Sequence, residues 1–155
     1  MFSDNIKNLI KKVQNRKTLF VGLGNKRRRD DAVGLYIVEN LQKFSIKNFN
    51  FLIANTTPEN YLSTMTQLQP EFIIFIDAVK NKEKVGTISL LSENDISTFA
   101  TSTHTSSILL IIEYLQKSFD VNIKVIGVSV KDTKLGDGIS GDILESADEF
   151  VKLFN

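Results

Sequence analysis

The sequence has no cysteine among its 155 residues, which excludes a disulfide framework and any thiolate metal site and fits a reducing, cytoplasmic compartment. A metal would have to be held by oxygen and imidazole ligands, and the chain offers one histidine, His104. Charge of either sign is not in excess. The formal net charge of +1 gives no bias toward nucleic acid or a membrane surface, so partners must be argued from local features. No apolar run approaches the roughly 18 residues that span a bilayer, and the opening segment "MFSDNIKNLIKKVQNRK" is too polar for a signal peptide. The expectation is a soluble chain with no membrane insertion and no nucleic-acid partner. Internal repeats, low-complexity tracts and linkers are also missing. One domain over residues 1–155 is expected, with residues 1–15 as an N-terminal helix packed on it.

What the chain does have is alternation of strand and helix. Ser3 or Asp4 caps a first helix carrying Ile6, Ile10 and Val13 on one side. "TLFVGLG" (Thr18 to Gly24) reads as a buried strand. From Asp31, the residues Val33, Ile37, Leu41 and Phe44 mark one face of a helix whose first turn holds Asp30 and Asp31. "FNFLIAN" is a second strand, after which Thr57 is the expected cap and Pro58 the first residue of a helix ended by Pro70. "FIIFIDAV" (Phe72 to Val79) is a third strand ending at Asp77, and Val85 to Leu91 a fourth. The Ser/Thr-rich "STFATSTHTSS" leads past His104 into "ILLIIEYLQKSF", a helix expected to be mostly buried. Ile123 to Val130 is a fifth strand, and Ser140 caps a closing amphipathic helix. The order predicts an α/β fold, a three-layer sandwich around a mostly parallel five-stranded sheet with helices on both faces.

In such sheets ligands gather at the carboxyl ends of the strands, and Asp30, Asp31, Asp77 and His104 each follow a strand. Two carboxylates and an imidazole suit zinc, nickel, manganese or iron while leaving positions open for water or substrate. A helix N-terminus favours the carboxylate form of Asp31 and the neutral form of His104, the protonation states that metal binding requires. Taken singly, an aspartate at a helix start is ordinarily a cap and a lone histidine ordinarily solvated; their joint placement at strand ends carries the expectation. The run Lys26 to Arg29 is either a solvated loop, a neutraliser of the acid pair, or an attractor of an acidic peptide.

Two other phosphate or nucleotide readings compete. "GLGNKR" begins like a dinucleotide fingerprint, but Arg27 stands where the third glycine belongs and no acid closes the second strand. A phosphoacceptor receiver domain would use an acid pair, a strand-end aspartate and a lysine, as Asp30/Asp31, Asp77 and Lys131 are ordered here. Its acid pair follows the first strand directly, however, whereas Gly24 to Arg29 intervene in this chain.

Taken together, "VGLGNKRRRDDAVGLYIVENL", "TTPEN", "FIIFIDAV", "TSTHTSS" and "VIGVSV…LGDGIS" resemble the hydrogenase maturation endopeptidases, from about Thr18 onward. "TTPEN" is similar to the branch that serves formate-linked hydrogenases. The resemblance implies an endopeptidase that removes a C-terminal extension from the large-subunit precursor of a nickel-iron hydrogenase after nickel insertion, acting as a monomer. It implies that Asp31, Asp77 and His104 contact the metal with Asp30 beside them. The ion would be nickel supplied by the substrate, with zinc or another divalent ion as surrogate. A non-catalytic nickel-sensing maturation factor would use the same residues. Two departures stand out: "KRRR" occupies a stretch where the family carries uncharged or apolar residues and often a glycine, and Ala32 replaces a frequent glycine.

Overall fold

The computed structural model describes residues 2–98 and 104–155, without the side chains of Thr98 and of positions 104–107. Five strands, β1 (Thr18–Leu23), β2 (Phe49–Asn55), β3 (Phe72–Val79), β4 (Ile88–Leu91) and β5 (Asn122–Ser129), form one sheet in the order β2-β1-β3-β5-β4. The first four positions across the sheet are parallel, and only β4 runs antiparallel, on the edge. Among the described residues six helices flank it: α1 (Asp4–Val13), α2 (Val33–Gln42), α3 (Leu62–Leu68), α4 (Glu93–Thr98), α5 (His104–Ser118) and α6 (Gly141–Lys152).

Alternation along the strands divides the core into two apolar layers. Phe20, Ile74, Ile76, Ile126 and Val128 face α1, α2 and α6. Leu19, Val21, Leu23, Ile73, Phe75 and Val125 face Met65 of α3, Ile96 of α4 and the Ile108, Ile111 and Leu115 stripe of α5. The expected three-layer sandwich is therefore observed. The central strands β1 and β3 are buried on both faces, which is why they read as continuous apolar runs rather than as alternating ones.

Several local expectations change. The helix predicted from Asp31 is preceded by a separate 3-10 turn, Arg29–Ala32, and α2 begins at Val33. Pro58 also opens a 3-10 turn, Pro58–Tyr61, and the Thr57 side chain caps nothing. The fourth strand starts at Ile88 rather than Val85 because Gly86, at φ 92°, turns the chain and donates its N–H to Ser129 at 2.8 Å. Asp77 lies within β3, two residues before its end. The long apolar helix α5 is buried on one side only, since Leu110 and Tyr114 are 65% and 51% exposed. Glu93–Thr98 is a helix that the Ser/Thr-rich reading passed over, and residues 99–103 lie outside the described part. The sheet order, with its antiparallel edge, is also not the 2-1-3-4-5 order of receiver domains.

Candidate active site at the β1/β3 switch point

The chain leaves β1 to make β2 on one side and then returns to place β3 on the other, so the carboxyl ends of β1 and β3 form the topological switch point of the sheet. Asp31 follows β1 and Asp77 lies near the end of β3. What brings them together is Gly34. A side-chain carbon at this position would collide with the carbonyl oxygens of Leu23 and Ile76, so only glycine lets the start of α2 settle onto the ends of both strands. Asp31 is three residues before Gly34 and Asp77 is the residue after Ile76. The close approach therefore delivers one carboxyl group to the other.

The electrostatics register that meeting. The Asp77 carboxyl is pushed up from its ordinary 3.8 to about 8, first by burial and then by the charge of Asp31, with the Ala78 N–H opposing at 2.8 Å. Some of Asp77 remains accessible, and the residue is half-buried, as is Asp31. Among the described residues no lysine or arginine pairs with Asp77.

Asp30 has a different setting from its neighbour. It is 2% exposed, its Oδ1 accepts the Ser140 backbone N–H at 2.7 Å, and its Oδ2 accepts the Ser140 hydroxyl at 3.0 Å. Ser140 does occupy the N-cap position of α6, as expected, but its side chain makes no cap bond there. Asp30 instead holds the N-cap residue itself across 110 residues of sequence, pinning the acid turn to the start of α6. The acid pair is thus divided, with Asp30 turned into the protein and Asp31 left at the switch point.

His104 is the first residue of α5, and its side chain lies outside the described part. Position 104 falls in register i, i+4, i+7 and i+11 with Ile108, Ile111 and Leu115, the residues that α5 buries against the sheet. That sheet face also carries Ile73 and Phe75, and by alternation Asp77. The backbone thus sets the imidazole-bearing position and Asp77 on one side of the sheet. Among the described residues no group of three His, Cys, Asp or Glu is assembled for a metal. Sequence reasoning missed Gly34 and the Asp30–Ser140 tie. A glycine inside an otherwise apolar helical stripe was the available signal for the first.

The sequence model for HycI, hydrogenase maturation protease, matches residues 35–154 of this chain. A Methanocaldococcus jannaschii protein assigned by name to the hydrogenase maturation proteases is 30% identical over 132 residues, covering 79% of this chain and 78% of its own. Among solved structures, the nickel-iron hydrogenase maturation protease HycI from Thermococcus kodakarensis superposes with a TM-score of 0.83 at 24% identity, covering 94% of this chain and 95% of that one. The hydrogenase-maturating endopeptidase HybD from E. coli has a TM-score of 0.74 at 20% identity, covering 88% of each chain. These two structures share the fold described above, and the matched sequence shows that the chain belongs to the hydrogenase maturation protease family.

Proposed function

We propose that this protein is a metal-dependent endopeptidase that removes the C-terminal extension of a nickel-iron hydrogenase large-subunit precursor after nickel insertion, acting in the cytoplasm as a monomer. In this reading Asp31, Asp77 and His104 hold the ion, which is the nickel carried by the substrate. The observation that supports it most is the pair of carboxyl groups at the switch point, with Asp77 raised to about 8 and no cation beside it among the described residues. A divalent ion fits that environment, because its charge would relieve both the burial of Asp77 and its repulsion by Asp31. Two carboxylates and an imidazole are a hard donor set that suits nickel or zinc with positions left open.

A bound ion there supplies Lewis-acid polarisation of the scissile carbonyl or a water of pKa near ~7. The chain's own residues do the rest. Asp77 retains its proton up to about pH 8 in the free protein, so an incoming cation must displace it and the site engages more readily as pH rises. Asp30 anchors the turn through Ser140, which fixes the direction in which Asp31 leaves the backbone. Because the ion arrives with the substrate, an empty large subunit would lack the bridge that aligns the peptide, and processing would wait for loading.

The test is to incubate a nickel-loaded, unprocessed large subunit with wild type, Asp77→Asn and His104→Ala protein and to follow the released peptide by mass spectrometry. Wild type is expected to release a C-terminal peptide and both variants to lose at least about a hundredfold in rate. Full processing by both variants would defeat the site assignment. Loss of a maturation phenotype with no peptide released by the wild type would favour a nickel-sensing role without cleavage.

A further inference from the structure

The four basic residues before the acid pair do not act alike. Lys26 Nζ pairs with Glu39 at 3.0 Å, and Arg28 Nη1 donates to the Thr133 carbonyl at 3.3 Å. Arg29 Nε lies 3.8 Å from Asp132, with its guanidinium folded over Gly136 so closely that a side-chain carbon there would stand 2.8 Å from it. The Arg28 and Arg29 contacts zip residues 25–32 to residues 131–138, whereas Lys26 is tied to α2. The backbone joins in, with Arg29 N–H to Gly136 O at 3.1 Å, Gly136 N–H to Arg27 O at 2.8 Å and Asp30 N–H to Asp132 O at 3.2 Å. The left-handed backbone at Arg29, φ 46°, is held in place by this zip.

Arg27 is the exception. Its backbone is fixed on both sides, the N–H donating to Asn25 Oδ1 at 2.9 Å and the carbonyl accepting from Gly136. Its side chain is exposed and makes no ion pair or hydrogen bond among the described residues. The parallel bridge between Arg28 and Gly136 sets Arg27 beside Leu135, which is 69% exposed and follows the exposed Lys134. Lys131 is exposed at the end of β5 on the same loop. Of the acids on these loops, Asp30 is turned inward to Ser140, Asp31 is half-buried at the switch point and Asp132 faces Arg29, so that Asp137 is the exposed acid beside Arg27, Lys131 and Lys134, three cations without an ion pair among the described residues. A rigid backbone carrying free cations around an exposed leucine is built for recognition rather than for stability, since cations spread over a solvated loop contribute little to folding.

We propose that this rim is a docking surface for an acidic, leucine-like segment of the hydrogenase precursor, with Arg27 and Lys134 reading its carboxylates and Leu135 covering its apolar side chain. This rests on the proposed processing function and adds the chemistry by which the substrate is chosen. Arg27 is four residues from Asp31, so chain reach keeps the rim within about 14 Å of the Asp31 backbone. Of the alternatives open for the basic run, neutralising the acid pair fits poorly, because Asp30 is satisfied by Ser140 and three of the four cations are drawn to other partners.

The experiment uses the full chain and three short fluorescein-labelled peptides, alternating Glu–Leu, Gln–Leu and Lys–Leu, with binding read by anisotropy. The Glu–Leu peptide is expected to bind, with affinity falling as salt rises. The Gln–Leu peptide should bind at least about tenfold more weakly and the Lys–Leu peptide not at all. Arg27→Glu with Lys134→Glu should cost the Glu–Leu peptide at least about tenfold, and Leu135→Ala should weaken it at unchanged salt dependence. Equal binding of the Glu–Leu and Gln–Leu peptides, no binding of any peptide, or an unaffected double variant that remains folded by circular dichroism would overturn the proposal. No bond is cleaved in this assay, so its outcome is independent of whether peptide release depends on Asp77 and His104.

Discussion

Replacing Asp77 by asparagine is expected to abolish peptide release while flattening the dependence of folding stability on pH. The two effects share one cause. Asp77 is a carboxylic acid held near the end of a buried strand next to Asp31, and its folded value of about 8 stands far above its ordinary 3.8. The folded state therefore binds the proton more tightly than the unfolded state. The stability that this proton contributes is present in full below about pH 4 and is lost as pH rises through about 8, at up to about 1.4 kcal/mol per pH unit. Between about pH 5 and pH 8 the wild type should lose roughly 2–4 kcal/mol that the asparagine variant does not lose. Urea titrations of both metal-free proteins at several pH values check this. Parallel pH profiles would show that Asp77 is not the strained carboxyl group described above. A residue that weakens the free protein above neutral pH and is retained at a strand end is what a site requires when function overrides stability.

The second large effect is expected at Asp30. Asp30→Ala would leave the Ser140 N–H and hydroxyl without their acceptors at the start of α6 and open a cavity where a 2%-exposed side chain had been. Two hydrogen bonds to a buried carboxyl group place the loss at about 3 kcal/mol, or a melting midpoint lower by roughly 6–12 °C for a chain of this size. Ser140→Ala removes the hydroxyl partner alone and should cost about 1 kcal/mol. Differential scanning calorimetry separates the two. Equal small losses in both variants would mean that the acid turn is not pinned through this pair, and Asp30 would return to the candidates for direct chemistry.

The contrast between Asp30 and Asp31 also shows where the sequence was readable. The strands were legible because β1 and β3 are covered on both faces and β-branched or aromatic residues crowd into short runs such as "FIIFIDAV". The α2 stripe of Val33, Ile37 and Leu41 was legible for the same reason, since all three are buried. The 3-10 turn around the acid pair was not, because it depends on contacts with residues 131–138 that are distant in the chain and on an arginine held in the left-handed region. Ser140 was correctly placed at the head of α6, yet its side chain was claimed by a partner no local rule could supply. The omission of α4 has a different origin. Ser92 Oγ accepts from Asp95 N–H at 3.1 Å and Asp95 Oδ2 from Ser92 N–H at 3.0 Å, a reciprocal cap written into "SEND" and overlooked beside the serines and threonines that follow.

Of the candidate site, the strand-end rule placed Asp31 and Asp77 at one edge, and the structure brings their charges within reach of each other. The rule could not say that a glycine on α2 would be the hinge of that meeting, because the collision it avoids is with carbonyl oxygens of two strands. Nor could it distinguish the cations of the "KRRR" run. Their separation into zip and free rim follows from which partners the 131–138 loop happens to offer.

The central claim is that Asp31, Asp77 and His104 grip one divalent ion, and nickel-edge X-ray absorption on the protein titrated with nickel tests it most directly. The account predicts a single bound ion with a light oxygen and nitrogen shell including one imidazole, the imidazole signature vanishing in His104→Ala and the bound ion lost in Asp77→Asn. Nickel held with the same ligands in wild type and in both variants would contradict it.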